Sequence, residues 1–502
     1  MAGEPRARRS RGAVVVVTGL TLLAIAAWGT TLFVSGAILS IGFLFIAWNA
    51  TLYSSERPRG SDAVPDGRLT VIVPTYNEEP ARLLRLLESC LAQTRPPDCV
   101  VVVDDGSVVN YREVRGTFFR SASAAGVEPR WYRQENKGKR RAQALAIEST
   151  PAADFYLTAD SDSVFDPDAF QEILKPLADG YVHSVAGIVL PANNTGGLLP
   201  RIIDLLWVNA QLCGRSALSA LGAVTVNSGA FAVYRAEVMR LYLDNYVGQR
   251  FRGRPMRLAD DAMMTLYSLT RGQAVQQPTA FCFTNTPTDV RGHLRQYKRW
   301  MQAGWMLVPW RLKYLPLSSY AYYAFCIHLL GNLLAAVSTF VVVVLLGTDR
   351  LDPMPVLTIG SIIAFAGSLR YLTIHRTDRS RRSRVTTFLL TPLAMLWSAF
   401  VIGPLRWYCL FLVCWKPSGG TRTLYARELS FRGISDTEDL LEVSADSRGL
   451  LGALRGLGSR AGSIRHAGRS TIQPLSLRSG SAPHRWVPAP GLSVATGRST
   501  SS

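Results

Sequence analysis

Acidic residues are in deficit in this 502-residue chain: 36 Asp and Glu stand against 55 Lys and Arg, a formal net charge of +19. An excess of that sign raises nucleic acid as a partner. Much of the arginine, however, lies beside long apolar blocks, where positive charge faces cytoplasm and anionic lipid, so no nucleic acid is expected. Cysteine patterning is lacking too. The seven cysteines (Cys90, Cys99, Cys213, Cys282, Cys326, Cys409, Cys414) form no CxxC or zinc spacing, which excludes a zinc module and fits reduced thiols in a cytosolic or membrane setting. From Gly12 to Ser55 there is no charge at all. That run is about twice the roughly 20 residues one spanning helix needs, and too long for the single short apolar region of a cleaved signal.

What is present divides the chain. Residues 1–11 are a basic N-terminus, with Arg6, Arg8, Arg9 and Arg11 placing it in the cytosol, and 12–53 read as a transmembrane hairpin turning near Trp28–Thr31. Residues 54–67 are a polar, turn-rich linker. From 68 to 300 short β-branched runs alternate with amphipathic helical stretches: LTVIVP, a helix from about Pro80 to Ala92, CVVVVDD, helices near Tyr111–Ala124 and Arg140–Glu148, and DFYLTADSD. This is the pattern of an α/β, Rossmann-like domain with a mainly parallel sheet, whose ligands sit at the carboxyl ends of strands. Residues 301–318 suit an interfacial helix, and 319–422 a C-terminal transmembrane region with spans at about 319–347 and 354–373. The basic loop 375–384 faces the cytosol; a further span over 385–402 is expected to break at Gly403, Pro404 and Arg406. The tail, 423–502, carries eight Arg and no acidic residue from Arg448 onward and is expected to be disordered.

The chemistry-bearing residues gather at strand ends. The first strand leads into Thr75, Asn77 and Glu78, and the second into Asp105 and Gly106, where an acidic group can meet a base or ribose and glycine lets the backbone approach. Lys139 and Arg140 open a helix whose free N–H groups suit phosphate. Asp160 and Asp162 end an apolar strand and offer hard oxygen ligands for Mg²⁺ or Mn²⁺. Asp260 and Asp261 begin an amphipathic helix, and Gln296, Arg299 and Trp300 come just before the membrane region. Inverting sugar transfer needs a base for the acceptor hydroxyl, and a carboxylate serves when cations stabilise the leaving group; Asp261 is the candidate. Trp300 offers an aromatic face for a sugar and Arg299 a fork for phosphate. Any one of these motifs also occurs as an ordinary turn or helix start; their order carries the argument.

PTYNEE, DDGS, DSD, the ADD pair and QYKRW together resemble family-2 glycosyltransferases of the processive membrane type, the hyaluronan, chitin, cellulose and poly-N-acetylglucosamine synthases, over about residues 12–422. The resemblance implies a cytosolic GT-A domain inserted between N- and C-terminal transmembrane helices, a UDP-sugar donor, Mg²⁺ or Mn²⁺, a growing polysaccharide acceptor and a lipid bilayer around the helices. By motif, Asp105 would hold uridine, Asp160 and Asp162 diphosphate and metal, and Asp261 would be the base. Gln296, Arg299 and Trp300 would hold nucleotide and acceptor terminus. Val226-Asn227-Ser228-Gly229 resembles the acceptor-site loop, so Ser228 and Gly229 join the set.

The chain departs from those relatives in four places. Ala259 stands where hyaluronan and chitin synthases usually have the Gly of GDD, the Cys before the acceptor-loop glycine is missing, MQAGW is nearer to the poly-N-acetylglucosamine pattern, and Gly419-Gly420-Thr421-Arg422 resembles WGTR with its Trp replaced. These bear on which polymer is made. A non-processive transferase acting on a lipid-linked acceptor would keep the Asp motifs but usually lacks QxxRW; a transporter or scaffold would not need the intact acidic set. Tyr322, Tyr323, His328 and Asn332 put polar groups on the span at 319–347.

Overall fold

The computed structural model describes residues 64–415 apart from Thr195, His375 and Thr377. The hairpin at 12–53, most of the linker, the 419–422 motif and the tail lie outside the described residues.

Ten strands are present among them: β1 Leu69–Thr75, β2 Cys99–Asp104, β3 Glu128–Arg133, β4 Phe155–Ala159, β5 Val164–Phe165, β6 Val182–Pro191, β7 Phe231–Arg235, β8 Arg250–Phe251, β9 Arg254–Pro255 and β10 Gln273–Thr284. Eight form one sheet in the order β3-β2-β1-β4-β7-β6-β10-β5, and β8 pairs with β9 apart from it. β1 is parallel to both β2 and β4. The chain winds outward through β2 and β3, then returns to the other side of β1 at β4. That reversal opens a crevice at the carboxyl ends of β1, β2 and β4, where strand order switches and α/β folds take their ligands. β2, CVVVVD, is buried at all six positions, as a parallel strand covered on both faces must be. The helix Pro80–Leu91 begins on a proline, which the first helical turn tolerates because no partner waits for its missing N–H. It buries Leu83, Leu86, Leu87 and Cys90, one stripe at helical spacing.

β7 departs from the parallel pattern. It runs antiparallel to β4 and β6, with Ala159 opposite Phe231. Because it points backward, its beginning lies beside the end of β4, which brings Ser228 and Gly229 next to Asp160. β6, antiparallel to β7, again delivers its carboxyl end, Val189 to Pro191, to the same side.

A single helix, Val290–Tyr314, carries Gln296, Arg299 and Trp300 and continues through the stretch expected as a separate interfacial helix; Asp289 caps it by accepting the Gly292 N–H at 2.7 Å. Among the described residues three runs are long and apolar enough to cross a membrane: Tyr320–Gly347, Pro353–Thr373 and Thr391–Trp415. The last corrects the expected break. The helix Arg381–Phe388 is separate, and the long run begins at Thr391 and passes through Gly403 and Pro404. Proline lacks the N–H of the α ladder and its ring presses on the carbonyl behind it. Here Ser398–Ile402 widen into a π turn, with the Gly403 N–H reaching back to the Ser398 carbonyl, and this relieves that clash.

The loop at 375–384 is likewise not merely a solvated basic stretch. Arg376 is buried and donates to both oxygens of Asp204, at 2.9 and 3.1 Å, and also pairs with Asp378 at 2.6 Å. The Tyr371 hydroxyl donates to the same Asp204. Asp204 lies on the helix Leu198–Asn209, so the network fastens that helix to the segment after the second apolar run. Ile202, Leu205, Val208, Tyr371, Ile374 and Ala394 pack around it.

Candidate active site

One cavity of about 1130 Å³ opens at the crevice, and every expected site residue except Asn77 and Gly106 lines it. Its floor is the loops after β1, β2 and β4, one wall is the 226–230 loop with the start of the helix Asp260–Leu269, and the other is the Val290–Tyr314 helix. Leu412, in the last apolar run, also faces it.

At the strand ends, several expected residues hold the loops in place. The Asn77 N–H donates to Ser107 Oγ at 2.9 Å and its Oδ1 accepts the Val108 N–H at 2.8 Å, so Asn77 staples the β1 loop to the β2 loop behind the cavity. The Asp105 Oδ1 accepts from the Gln134 amide at 2.6 Å and from the Lys137 and Gly138 N–H groups at 2.9 and 3.2 Å. It is 1% exposed, and it ties the second strand to the turn that launches the Lys139 helix. Gly106 has φ +79°, and a Cβ there would sit 2.8 Å from the Asn136 nitrogen, so this close approach needs glycine. Burial, then the Asp162 charge, raises the Glu78 carboxyl to about 6; Ser161 donates to it at 3.1 Å.

Lys139 and Arg140 part company. The Lys139 ammonium lies 2.8 Å from Asp160 and 2.9 Å from Asp260, bridging the metal-type carboxylates to the acidic pair. Arg140, expected beside it at phosphate, turns inward. Its guanidinium donates to the carbonyls of Tyr246, Leu258 and Ala259 and to Gln249, and it packs over the Tyr246 ring. A planar five-donor fork suits a cluster of carbonyls, so this arginine fixes the chain leading into Asp260.

The acidic pair is split by its surroundings. Against the cost of burial, Lys139 and Arg140 hold Asp260 below the usual carboxylate range. Burial, then the negative charge of Asp260, raises Asp261 to about 6. Asp261 Oδ2 accepts the Gly229 N–H at 3.2 Å, and its backbone carbonyl accepts from Thr265 Oγ, which in turn accepts the Asn227 N–H. A Cβ on Gly229 would press to 3.3 Å from the Lys139 nitrogen and 3.4 Å from Asp261 Cβ. Two adjacent carboxylates whose proton affinities are pushed apart are the usual arrangement of an ionised group beside a proton acceptor.

On the far wall Trp300 is 46% exposed, stacked at a tilt on Tyr297 (5.3 Å) and Trp207 (5.8 Å). Gln296 is buried, and among the described residues its Oε1 has no hydrogen-bond partner. Arg311, from the last turns of the same helix, is buried against the Phe325 ring and donates to the Thr225 carbonyl at 3.0 Å, with no carboxylate within ion-pair distance among the described residues. Trp207, Gln211, Arg215 and Arg311 line the cavity without having been expected there. The apolar LLWVN and interface-like WRLKY contexts resemble ordinary packing and membrane-surface sequence, so nothing local marks them.

The Glycosyl transferase family 2 model matches residues 70–243, and the Glycosyl transferase family group 2 model matches 157–414, just over half the chain. A hyaluronan synthase from Streptococcus pyogenes is 31% identical over 358 residues, covering 69% of this chain and 81% of that protein. The chain belongs to glycosyltransferase family 2. Within it, the resemblance is to the hyaluronan synthase type, joined by an N-acetylglucosaminyltransferase from Azorhizobium caulinodans at 31% identity, covering 69% of this chain and 88% of that one. A mannosyltransferase structure from Pyrobaculum calidifontis, in complex with GDP-Man and Mn²⁺, matches with a TM-score of 0.46 at 16% identity, over 78% of this chain and 99% of the other. By its family the enzyme is a glycosyltransferase, and among the described residues its α/β domain is followed by three apolar helical runs.

Proposed function

We propose that this family 2 glycosyltransferase is a membrane-embedded, processive, inverting β-glycosyltransferase that uses UDP-sugars, N-acetylglucosamine among them, and passes the polymer into its own helices. The observation that carries this reading is the continuity of the cavity, from Asp105 and Asp160 through Asp261 to Trp300 and on to Leu412 in an apolar helix. A single-addition enzyme has no need for a site that leads from its donor pocket to its membrane helices. The catalytic domain faces the cytosol, where nucleotide sugars are made.

In the step proposed, an acceptor hydroxyl oxygen attacks the anomeric carbon from the face opposite the diphosphate. The bond to the diphosphate breaks, UDP leaves with the electron pair, and Asp261 takes the hydroxyl proton. Lys139 keeps Asp260 ionised and steadies the donor end, while Arg299 and Gln296 hold the nucleotide. Trp300 supports the acceptor ring. Thr75, Glu78 and Asp105 shape the nucleotide pocket, and Ser228 and Gly229 the acceptor side. Asp160 and Asp162 present oxygen donors to the cavity. They fit Mg²⁺ or Mn²⁺, since Mg²⁺ commonly takes one or two carboxylates and completes its shell with water and substrate phosphate. Bound there, the ion would neutralise charge on the departing diphosphate.

The test is purified protein given a panel of radiolabelled UDP-sugars, with products digested by linkage-specific hydrolases. Polymer that requires UDP-N-acetylglucosamine, alone or with UDP-glucuronate, is expected. Incorporation from none of the UDP-sugars would refute the donor assignment.

A further inference from the structure

We infer a second sugar-binding platform, built from Trp207, Gln211 and Arg215, that receives the acceptor sugar behind the one Trp300 supports; the inference rests on the polymerase reading. All three line the cavity, at positions i, i+4 and i+8 of one helical run. Positions four apart creep round an α-helix, which turns once in 3.6 residues. In this run the α-helix Leu198–Asn209 passes into a π turn, Ala210–Arg215, whose wider steps turn the chain less per residue and bring the stripe back into line. π turns of this kind recur at functional sites.

Each member is held. Trp207 packs at 5.8 Å and 48° on Trp300, so the two indoles form a corner and not a closed stack. The Gln211 amide is locked to the backbone of Val189 in β6, donating at 2.6 Å and accepting at 2.8 Å, and Arg215 donates to Gln211 at 2.8 Å and to the Gly187 carbonyl at 2.7 Å. A rigid aromatic face flanked by fixed polar groups matches a pyranose, which presents C–H bonds on one face and hydroxyls at its edge; the electron-rich ring face attracts the former.

Sheet order assigns it to the acceptor. β6, which anchors the platform, lies two strands from β4 and its Asp160, and four from β2 and its Asp105. At about 4.8 Å per strand that puts the β6 anchor about 10 Å from the diphosphate end, past the one ring that the donor sugar occupies, and farther from the nucleotide; Trp207, 5.8 Å from Trp300, lies beside the sugar that Trp300 supports. A donor held at Asp105 and Asp160 does not reach it, whereas an acceptor lying past Asp261 and Trp300 does.

The experiment compares Trp207→Ala and Trp207→Phe with wild type, using UDP-N-acetylglucosamine and UDP-glucuronate. Three quantities are read: product length, UDP released per sugar incorporated, and donor KM; UDP binding reports that each variant is folded. Trp207→Ala should shorten product and raise wasteful UDP release by about tenfold, as loss of a buried aromatic anchor does, with donor KM within about twofold. Trp207→Phe should restore length. Wild-type length from Trp207→Ala, or a donor KM that rises as far as length falls, would overturn the platform. A wild-type enzyme that incorporates neither sugar would instead overturn the polymerase reading beneath it.

Discussion

Asp261 and Asp260 are neighbours in sequence, yet their surroundings separate them: one side chain faces Lys139, the other a glycine N–H and its partner's charge. A general base works only in its ionised form, and a carboxyl raised to about 6 is ionised above that value and protonated below it. Initial rates at saturating donor should therefore fall as pH drops through about 6. A limb near the ordinary carboxylate value of about 4 would show that burial does not tune this group. Ala259, just before the pair, has φ +58°, a left-handed conformation that costs a side-chain-bearing residue about 1–2 kcal/mol. Ala259→Gly gives back about 0.4–1 kcal/mol of that through the freer unfolded chain. The variant should still melt higher, by a degree or more. An unchanged or lower melting temperature would mean the strain is absorbed elsewhere. The two aspartates were legible in the sequence because a helix start after a polar loop is a local signal. The inward turn of Arg140 was not, because its carbonyl partners at Tyr246 and Ala259 lie over a hundred residues away.

Among the elements, the strands whose ends line the cavity were the most readable: β1, β2 and β4 are apolar runs that stop at polar residues, and parallel pairing buries both faces. The direction of β7 was not readable. FAVYR has the same pattern whether it runs up or down, and only its partners decide, although that direction is what brings Gly229 to Asp261. The reach of the Val290–Tyr314 helix across residue 300 also went unread, since a change in composition from polar to aromatic does not end a helix. Trp300→Ala on this helix should cut polymer synthesis by more than it cuts donor hydrolysis, measured as incorporated sugar against free UDP. Equal losses would deny Trp300 an acceptor role. The clamp between the Leu198–Asn209 helix and Arg376 makes a separate prediction. Asp204→Ala leaves a buried guanidinium and the Tyr371 hydroxyl short of a partner while Asp378 still balances the charge, a loss of about 1–3 kcal/mol, and should show as faster proteolysis between the catalytic domain and the apolar runs. Arg68→Ala, which removes an exposed pair with Glu128, should change stability by less than about 1 kcal/mol. Similar proteolysis of both variants would mean the buried clamp is not what joins the two parts.

At the scale of the molecule, the proposed function asks a basic chain with apolar runs after a family 2 domain to couple two tasks, sugar transfer and handling of a product that outgrows its site. The cavity reaches from Asp105 to Leu412, so the strand ends and an apolar helical run share one space; in the proposed function the growing end occupies it. The measurement that tests this most directly is the size of product made early, before much donor is consumed, by the full chain in liposomes supplied with UDP-N-acetylglucosamine and UDP-glucuronate, alongside Asp261→Asn. Long chains are predicted at once from the wild type, and none from Asp261→Asn although it still binds UDP. Single sugars on a lipid that extracts into organic solvent, or elongation at the wild-type rate by Asp261→Asn, would contradict the account.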